Sequence, residues 1–156
     1  MTIAAILGID PTAQSTTPEF VPGSLGAVTD STGTKIYKYL KYDDGTAAVD
    51  GVAGEVAYYY TLDGYKNHVC SSDLSDSIEI GAGVIQANIA TETYGWFQIK
   101  GAATLTIGLT AGADGDPLTP TGSADGTLDV SSAATDNVCA IAGDISDKEI
   151  ICDFPF

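Results

Sequence analysis

Histidine is the side chain that most often performs acid–base catalysis near neutral pH, and the sequence contains one, His68. It stands in the segment Y-K-N-H-V-C-S-S-D, where Cys70 and Ser71 offer a thiol and a hydroxyl that a neighbouring base could activate. Residues two or three positions apart on a strand or loop seldom bring their side chains together. The spacing therefore predicts that His68 is a surface or packing residue, and that the chain has no catalytic residue and is not an enzyme.

Carboxylates are the second candidate for chemistry. The pairs Asp43 and Asp44, and Asp114 and Asp116, could supply oxygen ligands to Ca²⁺, but the twelve-residue loop that ends in a bidentate Glu is absent. Asp and Gly are also what plain turns require, so calcium binding is the alternative to a turn role. Nothing selects one pair among the 21 acidic residues for glycoside hydrolysis. No phosphate-binding glycine motif occurs either, and we predict neither a metal nor another cofactor.

The three cysteines, Cys70, Cys139 and Cys152, predict neither a disulfide framework nor a zinc site. Their number is odd and no C-x-x-C spacing occurs, which favours reduced, buried thiols. The first residues form a short apolar run without a positively charged flank, which is typical of neither a signal peptide nor a membrane span. We expect synthesis and residence in a cytoplasm.

The charge balance excludes several classes of partner. The formal net charge is −15, with 21 acidic residues against six lysines and no arginine. Nucleic-acid binding depends on Lys and Arg contacts with phosphate, and anionic lipid attracts the same residues. We therefore expect no nucleic acid and no membrane as partner. Strong negative charge favours solubility and mutual repulsion between crowded copies of one particle.

The pattern of turns predicts an all-β chain. Acidic residues are mostly Asp, which favours turns, and five Asp-Gly pairs separate apolar runs. No segment of helical length keeps a 3.6-residue apolar period. Residues 35–42 predict a strand with lysines on both faces, which is typical of a strand that borders a sheet or a subunit contact. Further strands are expected at 55–61, 78–80, 84–90, 94–100, 103–110, 127–131, 138–142 and 148–153, and a short helical turn within 65–76.

These elements predict a small antiparallel β-barrel or sandwich with an extended N-terminal arm. The arm is residues 1–24, which are rich in Pro, Thr and Ser and cannot build a core alone. A Tyr-rich β region at 25–80 and a barrel-like domain at 81–156 follow, with a weak boundary near 81–83. The alternative is that 25–156 form one domain.

Apolar and aromatic residues are the candidate contacts with other subunits. Three consecutive tyrosines cannot all face one side of a strand, and Tyr and Trp are enriched at protein interfaces. Core packing is the alternative for Trp96. The candidate contacts on the arm, the 35–42 strand and the later strands are Ile3, Ile6, Leu7, Phe20, Val21, Tyr37, Tyr39, Tyr58, Tyr59, Tyr60 and Trp96.

The second half of the chain carries an ordered set of motifs. T-Y-G-W-F-Q-I-K-G-A-A-T at 93–104 is followed by A-D-G-D-P-L-T-P at 113–120 and D-G-T-L-D-V at 125–130. A-I-A-G at 140–143 and an apolar closing strand at 150–154 complete it. Over about residues 80–156 this order resembles the head decoration (cement) proteins that stabilise the capsids of tailed phages.

The resemblance implies a small β-protein, often a homotrimer, that sits on the outer capsid surface of the virion and contacts the major capsid protein. Arm and edge strands would then add to neighbouring subunits by strand pairing and apolar contact. Two alternatives remain open at this stage. One is another virion component, such as a head-fibre base or a tail-tube subunit. The other is a carbohydrate-binding β-module, in which Tyr58, Tyr59, Tyr60 or Trp96 would stack on a sugar.

Overall fold

The fold is all-β, as predicted. A computed structural model of the protein describes residues 6–61 and 64–156, without the side chains of Ile6 and Leu7. Strands hold 44% of the chain and helix holds 5%, which confirms the expected fold class. Within the described residues, no helix is long and apolar enough to cross a membrane.

The described part of the chain forms twelve strands and two short helical segments. Several strands begin or end at an Asp-Gly turn, because Gly adopts the left-handed backbone that such turns require, as Gly45, Gly115 and Gly126 do. In chain order the elements are β1 (Ile6–Leu7), β2 (Gln14–Ser15), β3 (Leu25–Asp30), β4 (Gly33–Tyr42), β5 (Val56–Tyr60), α1 (Gly64–Asn67), β6 (Val69–Ser71), a 3-10 turn (Leu74–Asp76), β7 (Ser77–Ile85), β8 (Thr93–Thr104), β9 (Pro117–Thr119), β10 (Asp129–Val130), β11 (Ala140–Asp144) and β12 (Glu149–Asp153).

Five strands close into a barrel. The order around the barrel is β4, β6, β5, β7 and β8, and β8 then pairs with β4 again. The β4–β6 pair is parallel, and the other four pairs are antiparallel. Closure leaves none of these strands as a free sheet edge along its paired length.

A second group of strands, which we call the C-terminal sheet, grows from the far end of β8. There β8 pairs with β12, from Lys100 opposite Asp153 to Thr104 opposite Glu149. β12 pairs with β11, β11 with β9, and β9 with β10, all antiparallel. The length of β8 therefore joins the barrel and the C-terminal sheet into one continuous structure.

The apolar side chains form three buried clusters. The barrel interior holds Leu40, Tyr42, Ala57, Tyr59, Cys70, Ala82, Ile85, Ile89 and Phe97. A second core lies between the barrel wall and the inner face of the C-terminal sheet, and includes Val56, Tyr58, Val84, Ile99, Leu118, Leu128, Ile150 and Phe154. A smaller cluster on the outside of β4 and β8 contains Tyr37, Tyr39 and Trp96.

The prediction that residues 35–42 border a sheet is wrong. β4 has β3 on one side at its beginning, β8 along most of its length and β6 at its end, so it is a central strand. Its three lysines do not mark an edge. Lys35 pairs with Asp30 and Lys41 pairs with Glu92, whereas Lys38 faces the end of the barrel interior.

The expected boundary near 81–83 falls inside β7, which runs unbroken from Ser77 to Ile85. Residues 25–80 and 81–156 share one sheet and one core, because Val56 and Tyr58 pack with Leu118 and Phe154. β8 contains the strand expected at 94–100 but only the first two residues of the one expected at 103–110, because residues 105–110 lie in no strand. Gly101 lies between the two expected strands, and β8 continues through its left-handed backbone.

The N-terminal segment lies along the body of the molecule over its described part, from residue 6. β1 pairs in parallel with β3, and β2 pairs with the start of β8. Phe20 then packs its ring against Tyr39 and Trp96, at centroid distances of 5.3 and 5.1 Å. A segment without a core of its own is therefore ordered here by the surface of the same chain.

Candidate interaction surface

Most of the aromatic residues predicted as subunit contacts lie in the core, which corrects that prediction for five of them. Tyr37, Tyr39 and Trp96 are buried under Phe20 and beside Tyr94. Tyr58 and Tyr59 have no exposed surface at all. Buried side chains cannot form a contact surface while the monomer stays folded.

Tyr58 and Tyr59 are both buried because β5 has a core on each side. Tyr58 faces the second core, where its single O–H is shared between the carbonyl oxygens of Ala124 and Thr127. Tyr59 faces the barrel interior, where its hydroxyl accepts a hydrogen bond from Lys38. Burial raises the pKa of both phenols above their ordinary value. The same burial removes Tyr58, Tyr59 and Trp96 as a sugar-stacking platform.

The other predicted contacts are placed differently. Val21 is 77% exposed, while Phe20 and Tyr60 are partly exposed. Ile6 and Leu7 belong to β1, but their side chains lie outside the described part, and Ile3 lies outside the described residues altogether. A subunit contact through these residues stays a prediction.

An apolar row crosses the outward face of the C-terminal sheet. Ile141 on β11 stands opposite Ile151 on β12, and their side chains are 37% and 53% exposed. Ile151 in turn stands opposite Ala102 of β8, and Ile141 stands opposite Pro117 of β9, and both of these neighbours are exposed. We call these four residues the apolar row. Isolated exposed apolar residues are ordinary, but aligned ones on four adjacent strands are typical of an interaction site.

A groove adjoins the apolar row at the end of β12. It has a volume of about 560 Å³ and is lined in part by Tyr65, Ile80, Val138 and Pro155. Tyr65 and Val138 are themselves exposed apolar or aromatic side chains. The Tyr65 hydroxyl donates a 2.7 Å hydrogen bond to the carbonyl oxygen of Phe156, which fixes one wall of the groove.

One ion pair lines the groove on the side of β12. The Lys100 ammonium lies 2.5 Å from a carboxylate oxygen of Asp153 and 4.6 Å from the centroid of the Phe156 ring. Asp153 and Ile151 are two residues apart on β12, so both face outward. The apolar row and the partly apolar groove therefore lie next to a charged pair, and apolar side chains with charged residues beside them are common in protein interfaces.

Catalysis receives no support from the geometry around His68. The Cys70 thiol lies inside the barrel, and burial raises its pKa well above the ordinary value, so it is not a thiolate near neutral pH. Across 6–61 and 64–156, no group of three or more His, Cys, Asp or Glu side chains is arranged to hold a metal. The acidic pairs serve as turn acceptors: Asp43 accepts from the Gly45 amide and Asp116 from the Ala113 amide.

The apolar row was missed in the sequence although a signal was present. In A-I-A at 140–142 the small residues face inward and the isoleucine faces outward, the reverse of the usual order. In E-I-I-C-D at 149–153 alternation places one of two adjacent isoleucines outside. An outward isoleucine on each of two consecutive strands indicates an apolar face.

Comparison with known proteins adds no relative to this description. No protein-family model, no curated protein and no solved structure matches the chain.

Proposed function

We propose that the chain is a structural protein of a tailed-phage virion that binds the outer surface of the capsid and stabilises it. The observation that carries the proposal is the apolar row, an aligned apolar strip on the solvent-facing side of a sheet. The surface partner would be the major capsid protein, and a homotrimer would place three such rows on one capsid site. The chain would be made in the host cytoplasm and reside on the virion.

Two further features support a capsid partner. The charge of −15 without any arginine suits a protein that stays on the outside of a particle filled with DNA. The order of motifs over residues 80–156 resembles that of head decoration proteins, and it includes β8, β9, β11 and β12, the four strands that carry the apolar row.

The energetics of the contact would be modest for each copy. Covering the exposed parts of Ile141 and Ile151 contributes about 1 kcal/mol each, since a fully buried isoleucine contributes about 1.5–3 kcal/mol. Symmetry would multiply this gain, because three linked copies bind with a high effective concentration. A decoration protein built in this way would bind undecorated shells saturably and raise the temperature at which they open.

The test is sedimentation of purified protein with undecorated capsids of the phage that encodes it. Wild-type protein is expected to pellet with the capsids up to a fixed number of copies. The double variant Ile141→Asp/Ile151→Asp is expected to lose at least about 100-fold in affinity, because two charges replace apolar contacts.

Val52→Asp is the matched control, since Val52 is an equally exposed apolar residue outside the C-terminal sheet. It should bind as wild type does. Equal binding by the double variant and by Val52→Asp would refute the role of the apolar row.

The number of copies bound per particle separates a decoration protein from a head-fibre base or tail-tube subunit. Sedimentation equilibrium of the free protein tests whether it is a trimer.

A further inference from the structure

One lysine of the barrel is buried at the barrel mouth. Lys38 is 3% exposed, and its ammonium donates a 2.8 Å hydrogen bond to the Tyr59 hydroxyl. The ammonium also lies 5.2 Å from the centroid of the Tyr59 ring and 5.1 Å from that of Tyr65. Two aromatic rings therefore lie close to an ammonium that is shielded from solvent.

Lys38 differs from the other lysines of β4 and β8 in having no carboxylate beside it. Lys35, Lys41 and Lys100 each form an ion pair, whereas within 6–61 and 64–156 no ion pair includes Lys38. Burial consequently lowers the pKa of Lys38 to about 8. A buried ammonium with one hydrogen bond has two further N–H donors to satisfy.

The barrel mouth opens into a pocket that Lys38 lines in part. The pocket has a volume of about 290 Å³, and its walls are Gly23, Leu25, Lys38, Tyr65, His68 and Phe156. Leu25, Tyr65 and Phe156 make it largely apolar. It is slightly smaller than the usual range for pockets that hold drug-sized molecules, so it suits a ligand about the size of one side chain.

His68 contributes a second polar group to the same pocket. Its Nδ1 atom is buried and has no hydrogen-bond partner among the described residues, which is rare for a buried polar atom. The ring is held close to the chain at Gly23, where an added Cβ would lie 2.6 Å from it. An ammonium without a carboxylate in an apolar pocket would be stabilised by a bound anion.

We propose that this pocket binds a carboxylate with a short apolar stem. The carboxylate would pair with the Lys38 ammonium, while Leu25 and Phe156 would contact the stem. The carboxylate would belong to a free short-chain acid or to a Glu or Asp side chain of a partner protein. This inference does not depend on the proposed capsid role.

The experiment follows the side-chain nitrogen resonances of ¹⁵N-lysine-labelled protein during titration with two probes. Butyrate represents the free acid, and N-acetylglutamate methylamide represents a partner's side chain. Butyramide, which has the same shape as butyrate without its charge, is the ligand control. We expect at least one carboxylate to shift the Lys38 resonance saturably and to raise its pKa, and butyramide to do neither.

The two probes distinguish the sources of the carboxylate. Saturation by butyrate alone identifies a free acid, and saturation by the glutamate derivative identifies a side chain that a partner inserts. Lys38→Met should weaken binding at least about tenfold, whereas Lys66→Met, at an exposed position, should leave it unchanged.

The wild-type titration keeps the proposal testable if Lys38→Met folds poorly. Failure of both carboxylates to shift the Lys38 resonance would overturn the proposal, as would equal binding by Lys38→Met.

Discussion

Replacing Lys38 with methionine is expected to stabilise the protein at neutral pH. Burial lowers the pKa of this lysine from 10.5 to about 8. One pKa unit corresponds to about 1.4 kcal/mol, so retaining the proton at pH 7 costs the folded state about 3 kcal/mol. Methionine has a similar length and no charge, but it loses the hydrogen bond from a charged donor to the buried Tyr59 hydroxyl, which is worth about 2 kcal/mol. The net gain in unfolding free energy at pH 7 is about 1 kcal/mol.

The higher unfolding free energy of Lys38→Met relative to wild type should disappear as the pH rises. Between pH 8 and 10.5 the unfolded chain binds more protons at Lys38 than the folded protein does, so the unfolding free energy of the wild type increases with pH. By pH 9 the cost of the buried charge has fallen to about 2 kcal/mol, which equals the hydrogen bond that methionine loses. Above that pH, ionisation of tyrosines in the unfolded chain opposes folding of both proteins, because burial raises the pKa of Tyr58 and Tyr59 in the folded state.

Urea unfolding of both proteins at intervals from pH 7 to pH 10 measures this difference. Lys66→Met controls for the change in net charge, because Lys66 is exposed. The reasoning is refuted if Lys38→Met is less stable than wild type at pH 7 by a margin that does not vary with pH.

Two further substitutions test the packing of the N-terminal segment and of the second core. Phe20→Ala removes the ring that holds the segment on Tyr39 and Trp96, and should lower the free energy of local opening by about 1 kcal/mol; unchanged amide exchange over residues 14–25 would contradict this. Gly81→Ala places a Cβ 2.6 Å from the Phe154 ring and should cost about 1–3 kcal/mol in thermal unfolding. Gly108→Ala meets no atom within 4 Å and should cost much less, so equal losses would show that crowding at Gly81 is not the cause.

The turns and the strand class could be predicted from the sequence because they depend on local chemistry. Three of the five Asp-Gly pairs, those with Gly45, Gly115 and Gly126, have the left-handed glycine backbone that such turns favour. Strand pairing is not local. Nothing in residues 35–42 shows that β8 lies beside β4, so lysines on both faces were interpreted as an edge.

The prediction that Tyr58 and Tyr59 contact another subunit is wrong for a related reason. A run of three was expected to face a partner because a small domain seldom buries both sides of a strand. The barrel and the C-terminal sheet provide two cores, and β5 lies between them. The burial of Lys38 could not be predicted from the sequence either. It depends on Tyr59 and Tyr65, whose positions follow from closure of the barrel.

Cryo-electron microscopy of the decorated particle tests the central claim most directly. We expect density for this chain on the outside of the shell, with Ile141 and Ile151 against the major capsid protein and His68 away from any reacting group. A particle without such density, or one in which the apolar row faces solvent, would contradict the account.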